Sequence, residues 1–305
     1  MGLRRIGPVV LLVVVLAGCG GSGPTDAPPV DVPSAPSSST PPDPSSPSSP
    51  SSPPATSPTS PPPTTAVGEA TAVAVYYVAD TAAGYRLQRE FHRVVTADPA
   101  SDAVREMLAE PTGIDPDYLN HWPPTTTLRS PVRTDDGAIV VDLSGVAGAN
   151  VGTELAHLTV QQLVFTVQGA LQSTDPVRVL VDGEPVEELW GAVATAEAVG
   201  RGDTYALRSL VQIDSPAHGA TVGREVEVTG EAAVFEATVL WEVLQDGQLV
   251  RSGSTSTTEG QRFAPFTFTV GLEPGEYTVR VLEADPSGGE GRPVLTDDKA
   301  ITVTG

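Results

Sequence analysis

One cysteine, Cys19, and one lysine, Lys299, occur among the 305 residues, and each scarcity excludes something. A lone thiol forms no internal disulfide, so the folded parts must be stable through their own cores. With 17 basic against 38 acidic residues and no basic patch interleaved with aromatics, the chain would repel phosphate, which argues against nucleic acid as a partner. The acidic residues are dispersed, not gathered in a tail, and read as a solvated surface. No run reaches the roughly 20 apolar residues of a membrane-spanning helix; Ile6 to Leu16 stops at 11.

Signatures of catalysis are missing as well. The four histidines, His92, His121, His157 and His218, show no metal-ligand spacing and are expected to be surface or locally satisfied residues. There is no Gly-x-Ser-x-Gly elbow, no Ser-x-x-Lys and no phosphate loop. The acidic pairs Asp135-Asp136, Glu187-Glu188 and Asp297-Asp298 lack alternating oxygen-ligand spacing and read as solvated turns. No catalytic residue, metal or cofactor is expected. A glycosidase could still use two distant carboxylates without any local motif.

What is present begins with Arg4 and Arg5, the apolar run, and then Leu16-Ala17-Gly18-Cys19. This resembles the lipobox of bacterial lipoproteins. The resemblance implies a signal peptide over residues 1–18, cleavage between Gly18 and Cys19, and a diacylglycerol anchor on the Cys19 thiol. The expected location is the outer face of the cell membrane, held through the lipid at Cys19. Loss of Arg4 and Arg5 takes the net charge from −21 to −23. Residues 19–66 follow as a tether: from Gly20 to Ala66 there are 16 prolines in 47 residues and no aromatic. Such a segment cannot bury enough apolar surface to offset the entropy of ordering and is expected to be a disordered spacer. Fully extended, it reaches about 145 Å.

Residues 67–190 alternate between strand and helix patterns, ββαββαβ, an α+β domain with helices on one face of a mixed or antiparallel sheet. The elements are a hairpin, Thr71 to Ala79 with Tyr85 to Val95, and a helix capped by Asp98 with Pro99 in its first turn. A strand pair, Thr125 to Thr134 with Ala138 to Leu143, turns at Asp136-Gly137. A helix from Thr153, taken as cap, to Leu171 leads to the strand Val177 to Val181. The runs Ala72 to Val78, Ala103 to Leu108, Gly137 to Ser144 and Val177 to Gly183 resemble successive blocks of the GerMN domain, known from spore germination proteins. That resemblance implies a non-enzymatic, exported or lipid-anchored module, similar in fold to ring-building domains of secretion and sporulation complexes. Residues 191–208, rich in Ala and Gly, depart from the pattern and are expected to be an interdomain linker across which few contacts pass, leaving two autonomous domains.

Residues 209–305 show seven strand patterns in about 95 residues with a turn at Asp246-Gly247, an immunoglobulin-like β-sandwich with Tyr277, Val279 and Val281 facing inward. Trp241, Phe266 and Phe268 are the expected core aromatics. Ile213-Asp214-Ser215-Pro216, Val226 to Gly230, Ala233-Val234-Phe235-Glu236-Ala237 and Gly275 to Val281 resemble the immunoglobulin-like domain of bacterial spore germination. Phe235 is expected to pack under the sandwich end while Glu236 accepts backbone hydrogen bonds there. High Arg and Ala/Val usage with a lipoprotein signal suggests a high-GC actinobacterium.

Together these readings imply a non-enzymatic envelope lipoprotein that binds an envelope protein or peptidoglycan, through residues the sequence does not identify. The alternatives are a cell-wall hydrolase or accessory enzyme with dispersed carboxylates, and a small-ligand-binding lipoprotein.

Overall fold

The computed structural model describes residues 70–148, 151–285 and 287–305. The expected signal, Gly18, Cys19 and the tether lie outside the described residues. No helix among the described residues is long and apolar enough to cross a membrane.

The first domain opens with a hairpin in which β1 (Ala70–Thr81) and β2 (Gly84–Val95) pair antiparallel, Ala70 opposite Val95 and Thr81 opposite Gly84. β1 is apolar at successive positions because both its faces are covered. Val75 and Tyr77 join Val104, Met107 and Leu163 in the main core, whereas Tyr76 and Val78 pack with Leu87, Leu158 and Phe165. α1 (Pro99–Ala109) begins where Asp98 accepts the Ser101 N–H, with Pro99 in its first turn and Ala103, Val104 and Met107 buried. β3 (Tyr118–Leu119) pairs with the other edge of β1.

The strand expected over 125–134 is split into β4 (Thr127–Leu128) and β5 (Arg133–Asp135), both antiparallel to β6 (Ala138–Ser144). Pro131 lies in the break, where it has no N–H to offer the ladder. Asp136 at φ 48° and Gly137 at φ 72° supply the consecutive left-handed residues that a tight hairpin needs. α2 (Thr153–Leu171) leads into β7 (Val177–Val181), which runs parallel to β6, so this sheet is mixed. Thr153 is not the cap of α2: Gly152 holds that position without a side-chain bond, and Thr153 is the first helical residue. Both helices pack on each other and on the hairpin.

After β8 (Glu184–Pro185) and β9 (Glu188–Leu189), the expected linker is a packed segment. β10 (Val193–Ala194) pairs with β9, and Val199 exchanges backbone hydrogen bonds with Val177 at 2.7 and 2.8 Å. Gln161 and Gln168 of α2 accept from Gly202 N at 2.9 Å and Arg201 Nε at 2.7 Å. α3 (Thr204–Leu207) is capped by Asp203, and Arg208 is buried. Polar contacts from half-buried Gln161 and buried Gln168 of α2 hold this segment, which carries few large apolar side chains.

The second domain is a sandwich of eight strands: β11 (Val211–Ser215), β12 (Ala220–Val222), β13 (Glu225–Ala232), β14 (Thr238–Gln245), β15 (Gln248–Ser256), β16 (Ala264–Gly271), β17 (Gly275–Glu283) and β18 (Thr296–Val303). One sheet is ordered β11-β13-β16 and the other β12-β18-β17-β14-β15. β12, too short for a pattern, pairs parallel with β18. Val228, Val239, Val243, Val279 and Val281 have no exposure, and Phe266 is buried. Trp241 stacks on Phe268 at 4.9 Å, and both are half-buried at the edge of that core. Phe235 does not pack under the sandwich: it is 48% exposed, on a short 3-10 turn with Glu236 at φ 51°. The Glu236 side chain is exposed too; its backbone oxygen accepts from Thr238 Oγ1 at 3.3 Å. The left-handed turn carries both side chains outward.

The two domains cluster as one compact unit. Ser209 N donates to Leu87 O at 3.0 Å, and Arg208 Nη2 donates to Gln212 and Glu231 at 3.0 and 2.8 Å. Arg89 of β2 forks onto Asp214 of β11, at 3.2 and 2.7 Å, and reaches Glu231 at 3.1 Å. Contacts therefore cross the joint, where the sequence led us to expect few.

Candidate functional site

A groove of about 740 Å³ lies in the first domain between β2, the C-terminal half of α1 and the loop Pro111–Ile114, with Ala217 of the second domain reaching its edge. Its apolar wall includes Phe91, 40% exposed, and Ile114, 47% exposed. A second hollow of about 400 Å³, lined by Leu108, His121, Trp122, Pro123 and Pro124, shares Ala109, Glu110 and Pro111 with it. The Trp122 Nε1 and His121 Nε2 atoms are buried there with no partner among the described residues.

A carboxylate–imidazole–carboxylate arrangement forms the polar side of the cleft. His92 Nδ1 lies 2.9 Å from Glu106 Oε2, and Nε2 lies 3.3 Å from Glu90 Oε2. Glu90 is itself held by the N–H groups of Ile114 and Asp115, at 2.8 and 2.7 Å. Gly113 permits that approach: a Cβ there would collide with the Glu90 carboxylate. Burial disfavours the imidazolium, yet the hydrogen bonds and charges of Glu90 and Glu106 outweigh it and hold the His92 pKa above 6.5. The Tyr77 hydroxyl beside them is raised by burial and by the same two carboxylates. His121 shifts the other way, lowered by burial. Because both ring nitrogens of His92 are engaged, neither is free to take a proton from a substrate.

Behind the cleft lies a second cluster. Lys299 Nζ is buried and donates to Asp115 Oδ2 at 2.7 Å, Tyr118 OH at 2.6 Å and Asp297 Oδ1 at 2.9 Å. It also sits 4.0 Å from the centre of the Tyr118 ring. Tyr118 OH donates to Asp297 Oδ1 at 2.7 Å, and Ile213 N donates to Asp297 Oδ2 at 2.6 Å. Burial raises the Asp297 pKa, partly offset by Lys299 and by the donors from Ile213 and Tyr118. Lys299 is raised because Asp297 and Asp115 outweigh its own desolvation. His218 Nδ1 approaches Asp115 Oδ2 to 3.5 Å, outside good hydrogen-bond geometry.

Of the acidic pairs expected in solvated turns, Asp135-Asp136 and Glu187-Glu188 are exposed. Asp297-Asp298 is different: it lies within β18, and Asp297 faces the domain joint. The missed signal was alternation, since Asp297, Lys299, Ile301 and Val303 occupy one face of a strand. Of the histidines, His157 is exposed, His121 and His218 are half-buried and His92 is engaged by two acids. Among the described residues no group of three or more His, Cys, Asp or Glu is placed to hold a metal ion.

Residues 74–187 match the family model described as "Sporulation and spore germination", and residues 210–290 match "Immunoglobulin-like domain of bacterial spore germination". Among solved structures, the chain is similar to the tandem GerMN domains of the sporulation protein GerM from Bacillus subtilis. The two are 17% identical, with 46% of this chain and 50% of that chain covered and a TM-score of 0.34, so the match spans half of that structure's length. The first GerMN domain of the same protein is 19% identical, with 43% of this chain and 99% of that chain covered and a TM-score of 0.33. A putative lipoprotein from Clostridium perfringens is 16% identical, with 46% and 93% covered and a TM-score of 0.31. No curated protein matches. The chain carries a GerMN-like domain followed by an immunoglobulin-like domain of the spore germination type.

Proposed function

We propose that this chain, built from two domains of the sporulation and spore germination type, is a non-enzymatic, membrane-anchored envelope lipoprotein that holds a protein or cell-wall partner in its first-domain groove. The observation that carries the reading is the groove itself: its wall exposes Phe91 and Ile114 while the titratable groups beside them, His92 and Glu90, are saturated by internal hydrogen bonds. Exposed apolar side chains in a concavity favour association, and a fully bonded acid–base cluster favours shape over proton transfer. Asp297, whose raised pKa is the feature a hydrolase would want, has both oxygens bonded, one of them to the Lys299 ammonium. The lipid at Cys19 and the spacer of residues 19–66 would hold the domains at the outer face of the membrane.

A photo-crosslinker placed at Phe91 in cells tests this. Capture of an envelope protein or peptidoglycan, lost when Ile114 is changed to Glu, is the expected result; glycan cleavage by the purified chain without such capture would overturn it. The anchor is tested separately, since Cys19→Ala should abolish lipid labelling. Persistent labelling would remove Cys19 as the acceptor.

A further inference from the structure

β2 is an edge of the sheet ordered β2-β1-β3, and its residues alternate between turning their N–H and C=O groups toward β1 and away from it. Leu87 marks the outward set, because its C=O accepts from Ser209 N at 3.0 Å and it bridges Arg208 in parallel. By alternation Arg89, Phe91, Arg93 and Val95 turn their main-chain groups the same way. The second domain engages this edge at Leu87 and, through the side chain, at Arg89. Past Arg89 the edge runs into the groove, where Phe91, His92 and Arg93 form part of the wall. The outward N–H and C=O groups of Phe91, Arg93 and Val95 have no partner among the described residues. All three residues are exposed, Val95 at 64%. Unlike Arg89, which is tied to Asp214 and Glu231, Arg93 has no acidic partner among the described residues. The register with β1 continues unbroken to Val95, so neither a bulge nor a proline blunts this end.

We infer that the edge of β2 from Phe91 to Val95 takes an extended peptide segment of a partner protein as an added strand, with an apolar residue against Phe91 and an acidic residue two positions away against Arg93. The inference rests on the partner-binding reading of the groove and names the form of the partner. A row of unpaired main-chain donors and acceptors is satisfied by another strand, and the segment at Arg208–Ser209 already begins such an addition on the same edge. Cross-strand neighbours then set the preference: an apolar side chain covers the exposed Phe91 ring, and a carboxylate neutralises Arg93. The residue between them turns to the opposite face of the sheet, the one that carries His92. The β2 of a second copy is the poorer occupant, because antiparallel pairing centred on Phe91 sets Arg89 opposite Arg93, like charge on like charge. The tether is poorer still: between Pro24 and Pro63 no run longer than four residues is free of proline, which has no N–H to give a ladder.

The test titrates the peptide Ac-Val-Thr-Glu-Ile-Val-Thr-NH2 into the full chain and follows the Phe91 and Arg93 backbone amides by NMR. Laid antiparallel, this peptide sets its Glu opposite Arg93 and its second Val opposite Phe91. Saturable shifts are expected, with hydrogen exchange at both amides slowed at least about tenfold. Methylating the peptide nitrogens of that Glu and that Val removes the N–H donors facing β2 and keeps every side chain, and should weaken binding at least about tenfold. Arg93→Glu, a surface change, should weaken the parent peptide by about tenfold, and a peptide with Lys in place of Glu should recover binding to that variant. No saturable shift, undiminished binding of the methylated peptide, no effect of Arg93→Glu, or dimerisation that protects the same amides without peptide would overturn the strand addition. Any of these results beside capture by the photo-crosslinker at Phe91 leaves the groove reading standing. Protection by the peptide without capture in cells supports the added strand and removes the envelope partner instead.

Discussion

Lys299 Nζ of β18 lies 2.7 Å from Asp115 Oδ2 of the first domain, a buried ion pair between residues 184 positions apart. It joins the last strand of the sandwich to the loop that precedes β3, and Tyr118 and Asp297 complete its shell. Such a pair is weak evidence of net stabilisation against an apolar substitute, but removing one member strands the others.

Lys299→Met should therefore lower the unfolding free energy by about 3–5 kcal/mol, because it leaves Asp115 and Asp297 buried without their cation. Adding Asp115→Asn and Asp297→Asn to it should recover most of that loss. Urea unfolding of the two variants beside the parent measures both; a loss below about 1 kcal/mol for the single variant would show that the cluster is open to solvent.

His92 should make stability depend on pH near neutrality. Its folded pKa is raised above 6.5 by Glu90 and Glu106, against the opposing effect of burial. A raised value means that the stability His92 contributes is fully present below pH 6.5 and is lost as pH climbs through the folded value. The urea midpoint should fall between pH 6 and pH 8.5 in the parent and change less in His92→Gln. Equal slopes in the two proteins would assign the dependence elsewhere.

Residues 67–190 and 209–305, produced apart, should each be less stable than within the intact chain. The first piece loses the partners of Arg89 and Asp115, and the second loses the shell of Lys299 and the contacts of Glu231 with Arg89 and Arg208. Separate circular dichroism melts should show lower midpoints than the joined protein. Two midpoints matching those of the intact chain would restore the picture of independent modules.

Much of the fold was legible because it is written locally. The hairpin, α2 and the Asp136-Gly137 and Asp246-Gly247 turns follow from periodicity and from residues that accept positive φ. The site was not, because its members meet only through topology: His92 with Glu106 across a strand–helix packing, and Lys299 with Asp115 across two domains. Composition misled at residues 191–208, where Ala and Gly suggested a free linker but Gln161 of α2 holds the backbone at Gly200 and Gly202 and Gln168 holds the Arg201 side chain. A lone lysine in an acidic chain reads as solvated. Only its place on the strand face with Asp297 and Ile301 marks it as inward-facing.

The burial of the only lysine makes the domain joint chemically addressable. Every side-chain amine of the protein is that one group, 2% exposed and donating to three acceptors. An acylating reagent such as an N-hydroxysuccinimide ester reaches it only when the joint opens, so the labelling rate under native conditions reports the free energy of that opening, as amide exchange does for a cooperative unit.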